Sequence, residues 1–376
     1  MAESARELPA QERAAAKNEV SVTRELLIEQ LPIFAGLMIL GYFAAFWQHG
    51  FLPGGDVAFP LAGVRVPIWH LVWMGFWTGY TMAVVGEAAG IFALPYQMSV
   101  LQFSAASVSP TTQLLTFINP LGALFGFMRN KQSNWDFALW VCVGGVVGGL
   151  IGPFLRLTVL ADPRPFKVAV GVALAIAGVH LCWSAFRRAN RTQGIEGKFA
   201  AEVKASRAQG AVPSGIPKGV PIETIAKDGL HLVIGFWGER WRVHQPTLFL
   251  IGAGVAVCAS ALGVGGGFLL VPIFAAVYGL PMYVLVAASI PYVIVLSAVA
   301  IATYTFIVPL FTGSTLLAEF AWGLFASAGG VFGAWCAAKT QRFVPQHFLK
   351  LMLGGITGVA GALYVVDFFY PLPFRL

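Results

Sequence analysis

Charge is scarce in this sequence. Charged residues make up 11% of its 376 positions, while hydrophobic residues make up 57%. Soluble domains carry about 25% charge, so a water-soluble globular domain is excluded. The apolar residues gather in runs of about 20, the length that spans a bilayer as helix. Cysteine is scarce too. Cys142, Cys182, Cys258 and Cys336 all fall in apolar runs, without CxxC or metal-ligand spacing. That excludes a disulfide framework and predicts buried, inert thiols. His49, His70, His180, His231, His244 and His347 are scattered without ligand spacing and read as loop or interface residues. HExxH, GxSxG and the Walker A phosphate loop are missing. With them go the common routes to metalloprotease, serine hydrolase and ATP-driven chemistry. No enzyme activity, cofactor or metal is expected. The net charge of +7 comes with no basic stripe or nucleic-acid motif, so nucleic acid is not an expected partner. The start of the chain also lacks the apolar core and small-residue cleavage site of a signal peptide.

What is present is a series of helical runs. Residues 1–30 form a polar tail of mixed charge, partly helical near its end. An extra transmembrane helix at 31–48 precedes a loop rich in Gly and Pro, which reaches about Pro67. Further runs cover Ile68–Ala93, a segment ending at Met128, Trp135–Leu160 and Phe166–Phe186. Residues 187–245 form a basic linker. Within it Leu230–Trp237 is too short to span, and reads as an interfacial or packed segment. The pattern resumes at Thr247, then at Tyr283–Val308, Leu316–Ala338 and Phe348–Phe369. Trp47, Trp69, Trp135 and Trp183 sit near run ends, as interfacial aromatics do.

Glycine is concentrated in ASALGVGGGFLLVP, at Ala259–Pro272. Gly263, Gly265, Gly266 and Gly267 there interrupt an apolar run, and each costs a helix about 1 kcal/mol relative to Ala. A broken helix at membrane depth needs protein or a polar cavity around its unpaired backbone. If a new helix starts near Gly267, its free N–H groups and positive dipole end form an anion site made of backbone. A small-residue helix-packing seam is the other reading.

The two halves repeat. Adding 177 to Gly75, Gly86, Gly90 and Pro95 lands on Gly252, Gly263, Gly267 and Pro272. Gly144, Gly145, Val146 and Gly148 recur 185 residues later as Gly329, Gly330, Val331 and Gly333. Residues 68–186 and 247–370 are therefore read as repeats 1 and 2. If each glycine-broken run dips in and returns to its own face, most basic residues share one face. That face holds the tail, Arg129, Lys131, the 187–245 linker, Lys339, Arg342 and Lys350. Only Arg65, Arg156, Arg164, Lys167 and Arg375 then lie opposite. This fits the positive-inside rule, with the N-terminus and linker cytoplasmic. The expected fold is an all-α polytopic membrane protein of two inverted repeats. Each repeat is a re-entrant helical hairpin plus three transmembrane helices.

The paired breaks predict a site near mid-membrane between the repeats. Gly86, Glu87 and Gly90 mark the first break. Downstream polar interruptions lie at Ser109-Pro110-Thr111-Thr112-Gln113 and at Ser289-Ile290-Pro291-Tyr292. Ser109 reads as an N-cap with Pro110 at the first helical position. Whether these residues cap at the surface or face the hairpin tips stays open. Asn119, before Pro120, is a further polar contact. Such a site binds an oxyanion through neutral donors, with no buried Arg required. Glu87 stands where the second repeat has Val264. A carboxylate near the membrane centre is protonated, paired or functional, which makes Glu87 a proton-coupling candidate.

GVGGGFLLVP, the weaker GEAAGIFALP and the two four-run units resemble the sulfite exporter TauE/SafE family, also called the toluenesulfonate uptake permease family. The resemblance covers about Ile68 to Phe369. It implies a bacterial inner-membrane transporter of small sulfur-containing anions such as sulfite, sulfoacetate and related organosulfonates. Glu87, Ala88 and Ala89 depart from the family's pattern in the first break. An anion or small-solute channel built from paired re-entrant helices is the alternative. Asn-Pro occurs only at Asn119 rather than at the hairpin tips, which favours the transporter. Substrate identity, direction and oligomeric state are not encoded in these patterns.

Overall fold

The computed structural model describes residues 24, 26–50, 56–85, 89–103, 105–121, 124, 128, 134–186, 222–236, 238–280, 282–313, 316–340 and 346–370. Helix α1 (Leu31–His49) follows a π-helical turn at Leu26–Gln30 and ends where Gly50 turns left-handed. A hairpin of β1 (Asp56–Phe59) and β2 (Val64–Pro67) leads into α2 (Ile68–Val85) and α3 (Ala89–Ser99). Helices α4 (Val108–Ile118), α5 (Trp135–Thr158) and α6 (Pro163–Phe186) complete the first unit. An antiparallel sheet of β3 (Glu223–Asp228), β4 (His231–Phe236) and β5 (Glu239–His244) feeds α7 (Gln245–Leu262) and α8 (Gly267–Tyr278). Helix α9 (Met282–Ala302) runs on through a π-helical turn at Thr303–Ile307 into α10 (Val308–Thr312). Helices α11 (Phe320–Thr340) and α12 (Gln346–Phe369) end the described chain.

Among the described residues, seven helices are long and apolar enough to cross a membrane: Leu26–His49, Trp135–Thr158, Pro163–Trp183, Gln245–Leu262, Val284–Thr312, Phe320–Ala337 and Leu351–Phe369. The protein is a polytopic helical membrane protein with little sheet. Their outer faces are apolar: Leu139, Val143, Ile151, Ile176 and Val179 are exposed. Trp47, Trp69, Trp135 and Trp183 are exposed at helix ends, where aromatic rings suit the interface.

The helices interlock across the two units. α5 lies on α7, and α11 lies on α2. α6 pairs with α12, α4 with α9, α3 with α4 and α8 with α9. Exchanging each helix for its counterpart in the other unit reproduces the same pairings. Small residues make this possible, as they do where bilayer helices approach closely. A Cβ on Gly144 would fall 2.4 Å from the Phe249 carbonyl oxygen, and one on its counterpart Gly329 would fall 1.9 Å from that of Val72. Gly144, Gly148, Gly329 and Gly333 thus form small-residue seams between packed helices.

Two small antiparallel sheets accompany the helices among the described residues. β4 alternates in burial, with Leu232, Ile234 and Phe236 inside, so the short apolar stretch that begins at Leu230 is packed, as a strand, which is the second of the two readings given for it. The sheet seats its apolar face on Phe137, Val141 and Leu248. Asn134 caps α5 by accepting from the Phe137 amide at 2.9 Å, and its side-chain amide donates to Thr224. The thiols are a correction. Cys142, Cys182 and Cys336 are half-buried and Cys258 is exposed, because apolar positions on a bilayer helix can face lipid as readily as core.

Candidate functional site

The second glycine cluster breaks the helix and reverses the chain. α7 ends at Leu262, and Gly263 caps it at φ 85° with its amide on the Ala259 carbonyl. Gly265 is also left-handed, at φ 72°. Only glycine adopts this region without penalty. Gly266 is the N-cap of α8 at φ −87°, so its need for glycine is steric: a Cβ would fall 2.5 Å from the Tyr292 ring. The far ends of the two legs meet, since the Tyr278 hydroxyl donates to the His244 carbonyl at 3.3 Å. Among the described residues, the amides of Gly265, Gly266, Gly267 and Phe268 donate to no backbone carbonyl.

The first hairpin is built alike. His70 in α2 and Tyr96 in α3 share a hydrogen bond of 2.7 Å, so this run also returns towards its start. Gly86 and Glu87 lie outside the described residues. The two hairpins start beside different parts of the bundle. The second starts beside β5 and the first turn of α5. The first starts beside β2, where the Leu61 carbonyl accepts from Ser107. Ser107 in turn precedes Ser109, which touches the last turn of α5 through Arg156. The tips meet: a Cβ on Gly90 would fall 2.6 Å from the Val264 carbonyl oxygen and 2.7 Å from the Thr116 methyl group.

α4 and α9 flank the tips. Helix α4 starts earlier than the Ser-Pro signal suggests. Its N-cap is Ser107, whose hydroxyl donates to the Leu61 carbonyl, so Ser109 and Pro110 lie inside the first turn. Ser109 is buried against the second tip, 2.5 Å from its carbonyl oxygen to a Cβ placed on Gly263. Thr111 and Thr112 donate back to Ser107 and Val108, and accept from the Glu319 amide and Gln97 respectively. Gln113 donates to the Ala259 carbonyl, and its own oxygen is within hydrogen-bond distance of the Thr116 and Ser297 hydroxyls. These residues brace the tips. Asn119 caps the C-terminal end of α4, 3% exposed, and neither amide atom has a partner. The Gln97 side-chain oxygen is likewise buried without one.

In the second unit the expected interruption at Ser289–Pro291 does not occur. α9 runs unbroken through Pro291, and Ser289 donates within the helix to Val286. Tyr292 is fully buried and donates to the Gly252 carbonyl at 2.9 Å. Its ring supports Gly266 rather than offering a free hydroxyl.

Two buried charges were not anticipated. Arg156, near the end of the Trp135–Leu160 run and counted on the face opposite the tail, is 1% exposed in the last turn of α5. Its Nε donates to the Ser109 hydroxyl at 3.3 Å, Nη1 donates to the Leu160 carbonyl, and the guanidinium lies 3.9 Å above the Phe166 ring. Glu319, just before α11, is fully buried. It accepts from the Leu61 and Ala62 amides and pairs with His49 at 2.8 Å, so His49 is no loop residue. The available signal was a lone charge inside an apolar run.

The family model for the sulfite exporter TauE/SafE matches residues 25–181 and 71–364. No curated protein and no solved structure matches the chain.

Proposed function

The chain belongs to the sulfite exporter TauE/SafE family, and from that premise we propose that it is a secondary transporter of small sulfur-containing anions. Sulfite, sulfoacetate and related organosulfonates are the substrate class. The observation that carries this reading is the meeting of the two hairpin tips, Gly90 against the Val264 carbonyl. Backbone amides left free by the break at Gly265–Phe268 lie at the start of α8, where the helix dipole favours an anion. The unpartnered Asn119 side chain lies one helical turn beyond Thr116 and supplies a further donor.

Hairpins that start beside different parts of the bundle, joined by the same helix pairings when the units are exchanged, support two copies of one unit, which we read as inverted. That symmetry suits alternating access, in which the two halves rock about a fixed central site. We infer a bacterial inner-membrane location with the tail and the sheet-bearing linker cytoplasmic, on the charge bias of the loops. Glu87, beside the first break in sequence, is the proton-coupling residue of this reading.

The test is thermal unfolding of the purified full chain with sulfite, sulfate, thiosulfate and sulfoacetate at matched ionic strength. It is paired with sulfite flux in proteoliposomes. A rise in unfolding temperature with a sulfur oxyanion, and saturable flux driven by an imposed gradient, is expected. Flux that stays linear in concentration with no stabilisation by any of these anions would sink the proposal.

A further inference from the structure

Among the described residues, Arg156 has no carboxylate partner. The described ion pairs join His49 to Glu319, Lys167 to Asp367, Lys227 to Asp136 and Arg242 to Asp228. The nearest kind of compensation is the Phe166 ring, a weak substitute for an anion. A buried guanidinium with hydrogen bonds but no opposite charge is costly inside a membrane protein, and its retention marks function by default.

Its hydrogen bonds lead to the hairpin. Arg156 can only donate, and it donates to Ser109. Tyr304 gives its proton to the Ser260 carbonyl. Arg156, Ser109, Tyr304 and Ser260 are all buried. They border the second tip from two sides, since Ser260 is in the last turn of α7 and Ser109 presses on Gly263.

We propose that Arg156 is the fixed positive charge that selects anions at the second hairpin tip, and that the bound oxyanion is its missing counter-charge. This rests on the reading of the tips as the substrate site. The free amides of Gly265–Phe268 orient the oxyanion and discriminate weakly between charged and neutral ligands, while Arg156 supplies the discrimination by charge. A neutral sulfone of similar shape meets the same amides without compensating the guanidinium, so it does not bind.

The experiment is thermal unfolding of the detergent-purified full chain with sodium sulfite or dimethyl sulfone at fixed ionic strength. The parent protein is stabilised by sulfite and not by the sulfone. Arg156→Gln and Arg156→Met lose the sulfite shift, with the sulfite Kd raised about tenfold or more. Arg156→Lys, which keeps the charge, retains part of it. If Arg156 merely ties the end of α5 to α6, the neutral variants melt lower but shift with sulfite as the parent does, and the proposal is overturned. Recovery of neither neutral variant as folded protein also assigns Arg156 to structure and overturns it. A parent protein that no sulfur oxyanion stabilises refutes the substrate reading instead, so the two failures are distinct.

Discussion

Thr116 and Ser297 share a hydrogen bond of 2.9 Å across 181 residues of sequence. That separation lies between the 177 and 185 that relate glycines of the two halves. Such an offset is what the proposed repeat relation asks of equivalent positions on α4 and α9. The Gln113 side-chain oxygen lies 3.0 Å from the Thr116 hydroxyl and 2.8 Å from that of Ser297, so one hydroxyl donates to it while the other donates to its neighbour. Gln113 also donates to Ala259 on the second hairpin, so the pair braces the tip.

The first prediction concerns that pair. Thr116→Val and Ser297→Ala each remove one member of a buried network, at about 1 kcal/mol apiece. Their effects should not add, because either substitution already breaks the shared bond. A double-mutant cycle on unfolding in detergent measures the coupling. Strict additivity would mean that the two hydroxyls do not interact.

The second prediction separates the two roles of glycine at the break. Gly265→Ala imposes strain at φ 72°, costing about 1–2 kcal/mol. Gly266→Val drives a side chain into the Tyr292 ring, which its bond to Gly252 holds in place. Both variants should insert in the membrane, and Gly266→Val should abolish transport. Gly254→Ala, in open space on α7, is the control and should leave transport unchanged. Normal flux through a well-expressed Gly266→Val protein would refute the tip as a site.

Much of this architecture is legible in the sequence. The glycine-dense stretch marks the second break, and the repeated Gly and Pro positions give the pairing of the halves. The sheet was not: His231–Phe236 alternates in burial, but Leu232, Val233 and Ile234 are all apolar, so the sequence carries no period of two. Arg156 and Glu319 are harder to read. Each is one charge near the end of an apolar run, and its place in the run does not say which face of the helix meets protein. Their burial depends on neighbours distant in sequence: Ser109 for Arg156, and Leu61 with His49 for Glu319. Tyr292 shows the converse, a polar residue read as a ligand whose hydroxyl is already satisfied by backbone.

The third prediction is topological. Positions in the sheet, together with Tyr278, should label from the cytoplasmic face in a cysteine-free background. Val100, which is exposed beyond α3, should label from the outside. Labelling of Tyr278→Cys and a sheet position from opposite faces would contradict the hairpin that returns α8 to the start of α7.

The fourth prediction concerns Glu87, placed by sequence opposite Val264 in the repeat. An ionised carboxylate repels an anion in the same site, so its protonation favours binding and links the two movements. Glu87→Gln should bind sulfite and support counterflow exchange while losing accumulation driven by a pH gradient. Proteoliposomes with and without that gradient decide it. Accumulation equal to the parent, with the same pH dependence, would remove Glu87 from the coupling mechanism.

The last prediction concerns Glu319. Its Oε1 accepts from the Leu61 and Ala62 amides at 2.6 and 3.2 Å, and its Oε2 meets His49 at 2.8 Å. Gln48 closes the same junction, donating to the Ala318 carbonyl and accepting from the Phe320 amide. The end of α1, the β1–β2 turn and the start of α11 are thus held on one side chain. The Glu319 amide also donates to Thr111 on α4, which connects the junction to the helix beneath the second tip. Glu319→Ala would leave two amides and an imidazole without acceptors in a buried site, at about 3–5 kcal/mol. Glu319→Gln keeps an acceptor for the two amides and loses only the charge facing His49, so its cost should be smaller. Unfolding temperatures in detergent should fall in the order parent, Glu319→Gln, Glu319→Ala. Equal stability of the alanine variant and the parent would show that the junction is held by packing of Phe59 and Phe103 on Trp322 and not by the carboxylate.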